Sequence, residues 1–485
     1  MYLSEIFEKA PHIKITSLCS DSRAVKKGCM YFCLEGMNCD GHDFVEQAIA
    51  GGAVCIVHSK ELHDLQNGVA YIRVASVVET MNQVADKFNG YPSRQMRMFG
   101  ITGTNGKSTT TTLIRDLLNH FSPCGYIGTI AIRYGEVDKE PIHTTPDCLI
   151  LQGVLKEMAD AGMKNVALEV SSHGLEQGRV LGVDFDVVGF TNLTYEHLDY
   201  HGTIENYFQA KAKLFHLVKA DGVCVLNVDD DHFEALREEC EARVVTYGIT
   251  KPCDYRADEI ELHPTSTTFT LVHHEESYRV TTNLVATYNI SNLLCAIACI
   301  CESGYALKDL IPYLDTLAQV DGRMERIDEG QPFLVIVDYA HTPDGFEKIY
   351  SYAKAVTPSD RKIISVFGSA GKRDMKKRPV MGEIADRYSS LIYLTEEDPR
   401  DEDPKEIAED IKKGMRHANC VFIADRYDAI RTAVETANVS DTILILGKGD
   451  ETFMDRKNGT QFYMGDHKAA RHALKHYYFG NESES

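Results

Sequence analysis

Positive charge is in short supply. The 485-residue chain has 51 lysines and arginines against 72 aspartates and glutamates, a formal net charge of −21. That balance excludes a general nucleic-acid binder, because phosphates would be repelled rather than neutralised. A local basic pocket for a small phosphate ligand stays compatible with it. No apolar run approaches the roughly 18–20 residues that a membrane span needs. The start, MYLSEIFEKAPHIK, lacks basic residues followed by an apolar stretch, so neither a membrane span nor a secretory signal is expected. None of the 14 cysteines forms a Cys-x-x-Cys pair and their spacing is irregular, the pattern of a reducing cytosol. Cys295, Cys299 and Cys301 share one apolar stretch and read as buried free thiols on a helix. Repeats are absent, and so is any low-complexity tract beyond the polar tail NESES.

What is present is an ordinary globular composition, 44% hydrophobic and 25% charged, long enough for three domains, or two, at about 100–200 residues each. The first block, 1–92, has short apolar runs such as Met30–Leu34 and Ala53–Val57, and closes at a linker around Tyr91-Pro92-Ser93. In the second, 93–320, β-branched runs (MFGIT, NVALEV, DVVGF, GVCVLN) alternate with longer amphipathic stretches. The third, 321–485, repeats the alternation with FLVIVD, KIISVF, LIYLT and TILIL. Such alternation predicts mostly parallel sheets with helices on both faces. Two successive α/β domains are therefore expected behind a smaller α/β or α+β one.

Residues Gly100–Thr112 read GITGTNGKSTTTT: an apolar run, a glycine-rich turn, then an amphipathic helix. Gly103 and Gly106 let backbone N–H groups approach phosphate oxygens; Thr104 and Asn105 lie between them. Lys107 supplies charge, the helix N-terminus its dipole, and the Ser108 and Thr109 hydroxyls can reach Mg²⁺. The spacing departs from the usual Walker A loop, since Ile101 stands where that loop begins with glycine.

Elsewhere local chemistry leaves two readings open. Asp21-Ser22-Arg23 by itself is a turn with an ion pair. Thr144-Thr145-Pro146-Asp147 suits a helix start. Glu169 follows the strand NVAL, at the kind of strand end where α/β sheets place ligands, and can hold Mg²⁺ through oxygen. Ser171, Gln177 and Arg179 after it are, singly, loop residues. His197 and His201 stand four apart, but no third cysteine or histidine lies at zinc spacing, so magnesium fits better. Lys211, in YFQAKAKLF, reads alone as a solvated surface lysine. Tyr288-Asn289-Ile290-Ser291-Asn292 reads as a helix cap. Asp338 and His341 offer a carboxylate and an imidazole after the strand FLVIVD. Phe367–Asp374 lacks Gly-x-Gly-x-x-Gly, so it gives a dinucleotide site little support. By charge alone 396–404 is a solvated acidic loop.

GITGTNGKST resembles the ATP loop of the Mur ligases and of their relatives, the folylpolyglutamate synthases. The other motifs, spanning nearly the whole chain, resemble the Mur ligase branch that builds UDP-N-acetylmuramoyl-tripeptide. A full domain ahead of the loop favours that branch over a folate enzyme. The resemblance implies a three-domain α/β architecture with a central P-loop-type parallel-sheet domain and a Rossmann-like C-terminal domain. It implies an enzyme of the cytoplasm, a monomer with no nucleic-acid or membrane partner. ATP and Mg²⁺ would serve the addition of a free diamino acid to UDP-MurNAc-L-Ala-D-Glu. A folylpolyglutamate synthase-like ligase and a non-catalytic nucleotide-binding relative are the alternatives.

The resemblance also assigns residues. Gly103–Thr109, Asn292, Arg323 and Asp338 would bind ATP, with His341 beside them. Ser22, Thr144, Thr145, Ser171, Gln177 and Arg179, with Asn38 a lesser match, would hold the nucleotide-linked dipeptide. Ser108, Glu169, His197 and a carbamylated Lys211 would hold metal. Lys107, Glu169, His197 and Lys211 would form the catalytic group, and Arg373, Asp398, Arg400, Gly447 and Glu451 the amino-acid pocket. Departures from the family pattern are Glu196 for aspartate, Ser369-Ala370 and Lys372, and Asp398 for asparagine. An extra carboxylate at 398 suits the ammonium of L-lysine and repels a distal carboxylate, whereas Arg400 suits meso-diaminopimelate. The expectation leans slightly to L-lysine.

Overall fold

The computed structural model describes residues 1–36, 39–63, 65–417 and 419–479; Asn38 lies outside them. Among the described residues three large sheets carry the chain, and a two-stranded ribbon, Phe453–Arg456 with Gly459–Phe462, makes a fourth. The N-terminal one is parallel throughout, with strands Ser17–Cys19, Cys29–Phe32, Ala53–His58 and Ala70–Arg73 side by side. Helix Val77–Phe88 comes next, started by the Ser76 side chain accepting from Glu79 N. The turn after it, Pro92–Arg94, is packed: Pro92 and Ser93 are buried. Asn82 fastens this N-terminal unit to the central one, donating to Gly178 O at 2.8 Å and accepting from Gly182 N at 3.0 Å.

The central sheet has 11 strands. Its middle, in the order Cys124–Ile127, Asn165–Glu169, Arg97–Thr102, Phe185–Phe190, Val218–Asn227, Arg243–Gly248 and Tyr255–Leu262, is parallel. The runs MFGIT, NVALEV, DVVGF and GVCVLN foretell four of these seven strands. Antiparallel additions complete both edges: Ile132–Tyr134 with Val137–Lys139, and Thr267–His273 with Glu276–Thr282. Helix Lys107–Leu118 buries Leu113, Ile114, Leu117 and Leu118 against helix Thr287–Glu302 and the sheet. Each such leucine contributes about 1.5–3 kcal/mol through burial. Cys295 and Cys299 are buried free thiols there and Cys301 is part-buried.

In the third sheet Leu334–Asp338, Thr442–Leu446, Ile363–Phe367, Leu391–Leu394 and Cys420–Phe422 run parallel, with Glu325–Arg326 antiparallel at one edge. A parallel sheet puts all its carboxyl ends on one side. The candidate residues of the middle and C-terminal units therefore emerge at two strand-end rims, and those rims face each other. No helix among the described residues is long and apolar enough to cross a membrane.

Candidate functional site

The site grows from the loop after Arg97–Thr102. Gly106 has φ +88°, and a Cβ there would fall 2.3 Å from Asn292 Oδ1, so only glycine fits. The neighbouring strand end straps the loop. Thr104 N donates to Asn192 O at 2.8 Å, Asn105 N to Asn192 Oδ1 at 3.0 Å, and Thr191 Oγ1 to Asn105 O at 2.6 Å. These bonds fix the backbone of the loop against the neighbouring strand end.

Lys107 folds its ammonium onto Gly103 O at 2.9 Å and Thr104 O at 2.8 Å. Lys211, from helix Ile204–Ala212, reaches the same Gly103 O at 2.8 Å. It is 2% exposed, which corrects its reading from local sequence as a solvated surface lysine. Its position i+4 from Tyr207 lays the ammonium 4.4 Å from that ring's centroid. Burial, then repulsion from Lys107, hold the Lys211 pKa well below that of an ordinary lysine. Burial likewise lowers Lys107, against the pull of Glu196 and Glu169.

Glu169 is fully buried at the end of its strand. Its carboxylate accepts from Ser108 Oγ at 2.9 Å, Tyr126 Oη at 2.6 Å, and Thr129 N and Oγ1 at 2.9 and 3.1 Å. Tyr126 and Thr129 escape a reading of the sequence, since nothing in their spacing marks them. His197 sits at φ +55°. Burial, opposed by Glu196, brings its imidazole down to about 4, so it is neutral at physiological pH and able to ligate. His173 lies between His197 and His201, ring centroids 4.9 and 5.5 Å away, while His201 Nε2 pairs with Ser172 Oγ at 3.0 Å. Three or more histidine, cysteine or acidic side chains do not gather as a metal group among the described residues. Glu169 and Ser108 place one carboxylate beside one hydroxyl, oxygen donors of the kind that would suit a magnesium ion.

Two cavities meet at the loop. One, about 600 Å³, is lined by Asn105, Gly106, Asn292, Arg323 and Asp338, and by Tyr288, which sequence reasoning takes only as part of a cap. Tyr288 Oη is buried without a hydrogen-bond partner. Asp338 accepts from Met324 N and Ala340 N, each at 2.7 Å, and Arg323 stacks 4.1 Å from the Tyr339 ring centroid. The other cavity, about 470 Å³, is lined by Lys107, Ser108, Thr144, Ser171, Gln177, Arg179, His197 and Arg373 among others. Thr145 stands behind that wall rather than on it: fully buried, its hydroxyl donates to Glu169 O at 2.9 Å and accepts from Ser171 N. Its hydroxyl therefore braces the wall. Ser22 lies on the N-terminal unit, bonded to Gln47 Oε1 at 2.9 Å beside the expected Asp21–Arg23 ion pair.

The C-terminal rim closes over these cavities. His341 Nε2 meets Glu196 Oε1 at 3.0 Å, Asn105 Nδ2 donates to Asp344 Oδ2 at 3.1 Å, and Arg373 lies 3.9 Å from Asp199. Burial opposes ionisation of Glu196, but the His341 bond, the neighbouring imidazole of His197 and the charge of Lys107 prevail and lower its pKa. Behind this rim, Lys448, wholly buried, donates to both Asp398 oxygens at 2.9 and 3.0 Å and to Glu451 Oε2 at 2.5 Å. Tyr339 Oη donates to Glu451 Oε1 at 3.1 Å and Arg400 to Gly371 O at 2.6 Å. A Cβ at Gly447 would meet Glu397 Oε2 at 2.1 Å. Lys107, Glu169, His197 and Lys211 thus lie around the loop, with the nucleotide candidates in the larger cavity and, of the amino-acid candidates, Arg373 alone among the described lining of the smaller one.

Known proteins share this architecture. The chain matches the Mur ligase middle domain over residues 101–300, the Mur ligase glutamate ligase domain over 322–449 and the Mur ligase family catalytic domain over 14–89. Two curated relatives are both UDP-N-acetylmuramoyl-L-alanyl-D-glutamate–2,6-diaminopimelate ligases. That of Geobacillus kaustophilus (strain HTA426) is 40% identical over 95% of both chains. That of Halalkalibacterium halodurans is 39% identical over 95% of this chain and 94% of its own. A solved structure of a ligase of that name superposes with TM-score 0.71 at 29% identity, covering 99% of each chain. A Mycobacterium tuberculosis folylpolyglutamate synthase, TM-score 0.64 at 17% identity, covers 76% of this chain and 92% of its own, a likeness of fold alone.

A phosphate loop at a parallel strand end, faced by a second α/β sheet, is the arrangement of an ATP-dependent ligase that joins an acid to an amino acid. The chain belongs to the Mur ligase family.

Proposed function

We propose that the protein adds meso-diaminopimelate to UDP-MurNAc-L-Ala-D-Glu with ATP as the energy source. The carrying observation is the convergence of Lys107 and Lys211 on Gly103 O, next to the Ser108–Glu169 pair and His197, where two cavities join. The larger cavity suits the nucleotide, with Asn292 and Asp338 at its base end and Arg323 near the phosphates. The smaller suits the dipeptide, whose anionic end Arg179 and Gln177 would orient.

In this reading the terminal D-glutamate carboxylate attacks the γ-phosphorus of ATP. An acyl phosphate forms and ADP departs. The amine of the incoming amino acid then attacks the acyl carbon, inorganic phosphate leaves, and one proton is lost from nitrogen. Lys107 neutralises the crowded phosphate oxygens, and the preformed loop spares reorganisation. Mg²⁺, held by Ser108 and Glu169 with His197 and a carbamylated Lys211, would supply charge neutralisation for phosphate transfer. Carbamylation is chemically apt at Lys211: burial favours the neutral, nucleophilic amine, and CO₂ addition replaces a second cation beside Lys107 with an anion. The rims bridged by His341 and Glu196 keep water from the acyl phosphate.

The sequence alone leans to L-lysine through Asp398. Diaminopimelate is favoured here because the two curated relatives are ligases of that amino acid, and because the Asp398 carboxylate already has an ammonium partner in Lys448. Phosphate release with UDP-MurNAc-L-Ala-D-Glu and each amino acid in turn tests the proposal. Turnover is expected with meso-diaminopimelate. Turnover with folate and glutamate instead, or ATP binding without substrate-dependent release, would overturn it.

A further inference from the structure

The donors around Glu169 divide unequally between its two oxygens. Oε1 accepts from Tyr126 Oη at 2.6 Å and from Thr129 N at 2.9 Å. Oε2 accepts from two hydroxyls, Ser108 Oγ at 2.9 Å and Thr129 Oγ1 at 3.1 Å. An ionised carboxylate oxygen has about two lone-pair sites, so Oε1 is filled. Its partners hold still: one is a peptide N–H, and the other is the phenol of a residue 1% exposed. The hydroxyls on Oε2 rotate about their own C–O bonds. Oε2 is therefore the oxygen open to a cation.

Strand register puts Tyr126 in this place. In the parallel pair Cys124–Ile127 and Asn165–Glu169, Tyr126 stands opposite Ala167. Side chains alternate along a strand, so Tyr126, Ala167 and Glu169 share a face. Helix Lys107–Leu118, which carries Ser108, packs on that face, since Cys124 and Ala167 join a core with its Leu113 and Leu117. Gly128 leaves the room the contact needs. A Cβ there would fall 2.1 Å from Glu169 Oε1 and 2.5 Å from Tyr126 Oη, and would wedge the two atoms apart.

We propose that Tyr126 is a positioning residue for the metal site: its hydroxyl ties down Glu169 Oε1 and so turns Oε2 toward Ser108 and the phosphate loop. Among the described residues that line the two cavities Tyr126 does not figure, so it acts on a metal or a phosphate only through Glu169. The inference rests on the proposed part of Glu169 in holding Mg²⁺ and extends it to the residue behind that carboxylate.

The test is the binding of Mn²⁺, which takes the same oxygen ligands as Mg²⁺. The free ion is followed by electron paramagnetic resonance, with the full-length enzyme in excess over a non-hydrolysable ATP analogue. Tyr126→Phe removes one oxygen and keeps the ring. Mn²⁺ should bind about tenfold or more weakly, and the Mg²⁺ concentration that gives half-maximal turnover should rise with it. Glu169→Gln should weaken Mn²⁺ binding too. The double variant, Tyr126→Phe with Glu169→Gln, should bind no more weakly than Glu169→Gln alone, because the hydroxyl acts through that carboxylate. A role in packing alone would leave Mn²⁺ affinity unchanged in Tyr126→Phe, or would add its loss in full to that of Glu169→Gln; either result overturns the inference. Should Tyr126→Phe fail to fold, Gly128→Ala decides, since its methyl separates the same two atoms, and undiminished Mn²⁺ affinity there overturns the inference as well. If Glu169→Gln binds Mn²⁺ as the unaltered enzyme does, the metal reading of Glu169 itself fails, and the inference with it.

Discussion

Lys107 and Lys211 place two ammonium groups on one acceptor, the carbonyl oxygen of Gly103, at 2.9 and 2.8 Å. Two like charges at such a separation in a buried site disfavour each other's charged form. Turning one of them into an anion would relieve the conflict.

Lys211 is accordingly expected to carry a carbamate in the active enzyme. With ¹³C-bicarbonate a carbamate resonance should appear and be missing from Lys211→Ala. That variant should lose about 10²-fold or more in kcat and regain part of it with a small carboxylate such as formate, while Lys211→Arg should stay inactive because a guanidinium does not add CO₂. An unmodified lysine in fully active enzyme contradicts this.

Two changes in the loop separate charge from shape. Lys107→Ala removes the cation and should lower kcat by about 10²–10³-fold with little effect on thermal unfolding. Gly106→Ala should weaken nucleotide binding by a different route, since its Cβ would collide with Asn292 Oδ1 at 2.3 Å and φ there is +88°. Nucleotide titration of both variants tells the two effects apart; a Gly106→Ala enzyme of ordinary affinity would contradict the described loop.

The His341–Glu196 contact at 3.0 Å joins the facing rims. His341→Ala should lower kcat/KM for ATP by about tenfold and widen the particle in solution scattering with a nucleotide analogue bound. Unaltered kinetics and dimensions would show that the contact does not hold the rims together.

Asp86 gives a pH signature remote from the centre. Its carboxyl is nearly shielded where the N-terminal helix meets the central unit. Burial pushes it up to about 6 from 3.8, opposed by Arg94 at 3.6 Å and assisted by Asp184. The folded state therefore binds more protons than the unfolded state between those values. Stability attributable to this group falls as pH rises through that window and stays low above it. Asp86→Asn should raise urea stability at pH 8 by on the order of 2–3 kcal/mol and change it far less at pH 4. An equal effect at both pH values would mean that the carboxyl titrates normally.

Much of the scaffold is legible because it is written locally. The runs MFGIT, NVALEV, DVVGF and TILIL are parallel strands at Arg97–Thr102, Asn165–Glu169, Phe185–Phe190 and Thr442–Leu446. The turn after the first is where the glycines put it. The antiparallel edges are not foreseeable, since alternation of strands and helices says nothing about strands added after it stops. Lys211 misleads by residue type, because its side chain is buried against the Gly103 carbonyl and the Tyr207 ring and not in water. The bracing of Glu169 by Thr129 and the pairing of Asp398 with Lys448 are equally out of sight, as residues 40 and 50 positions apart carry no shared local pattern.

From the sequence by itself come the order of strands and helices, the phosphate-cradling turn and the side chains with the chemistry for metal and phosphate. Those depend on backbone preference and on the period of apolar residues, which act over a few neighbours. Only the tertiary structure decided which of these groups lose their water, which charges share an acceptor, and which carboxylates are answered from within the chain. Burial and approach between distant segments set those outcomes, because the strength of a charge depends on what surrounds it.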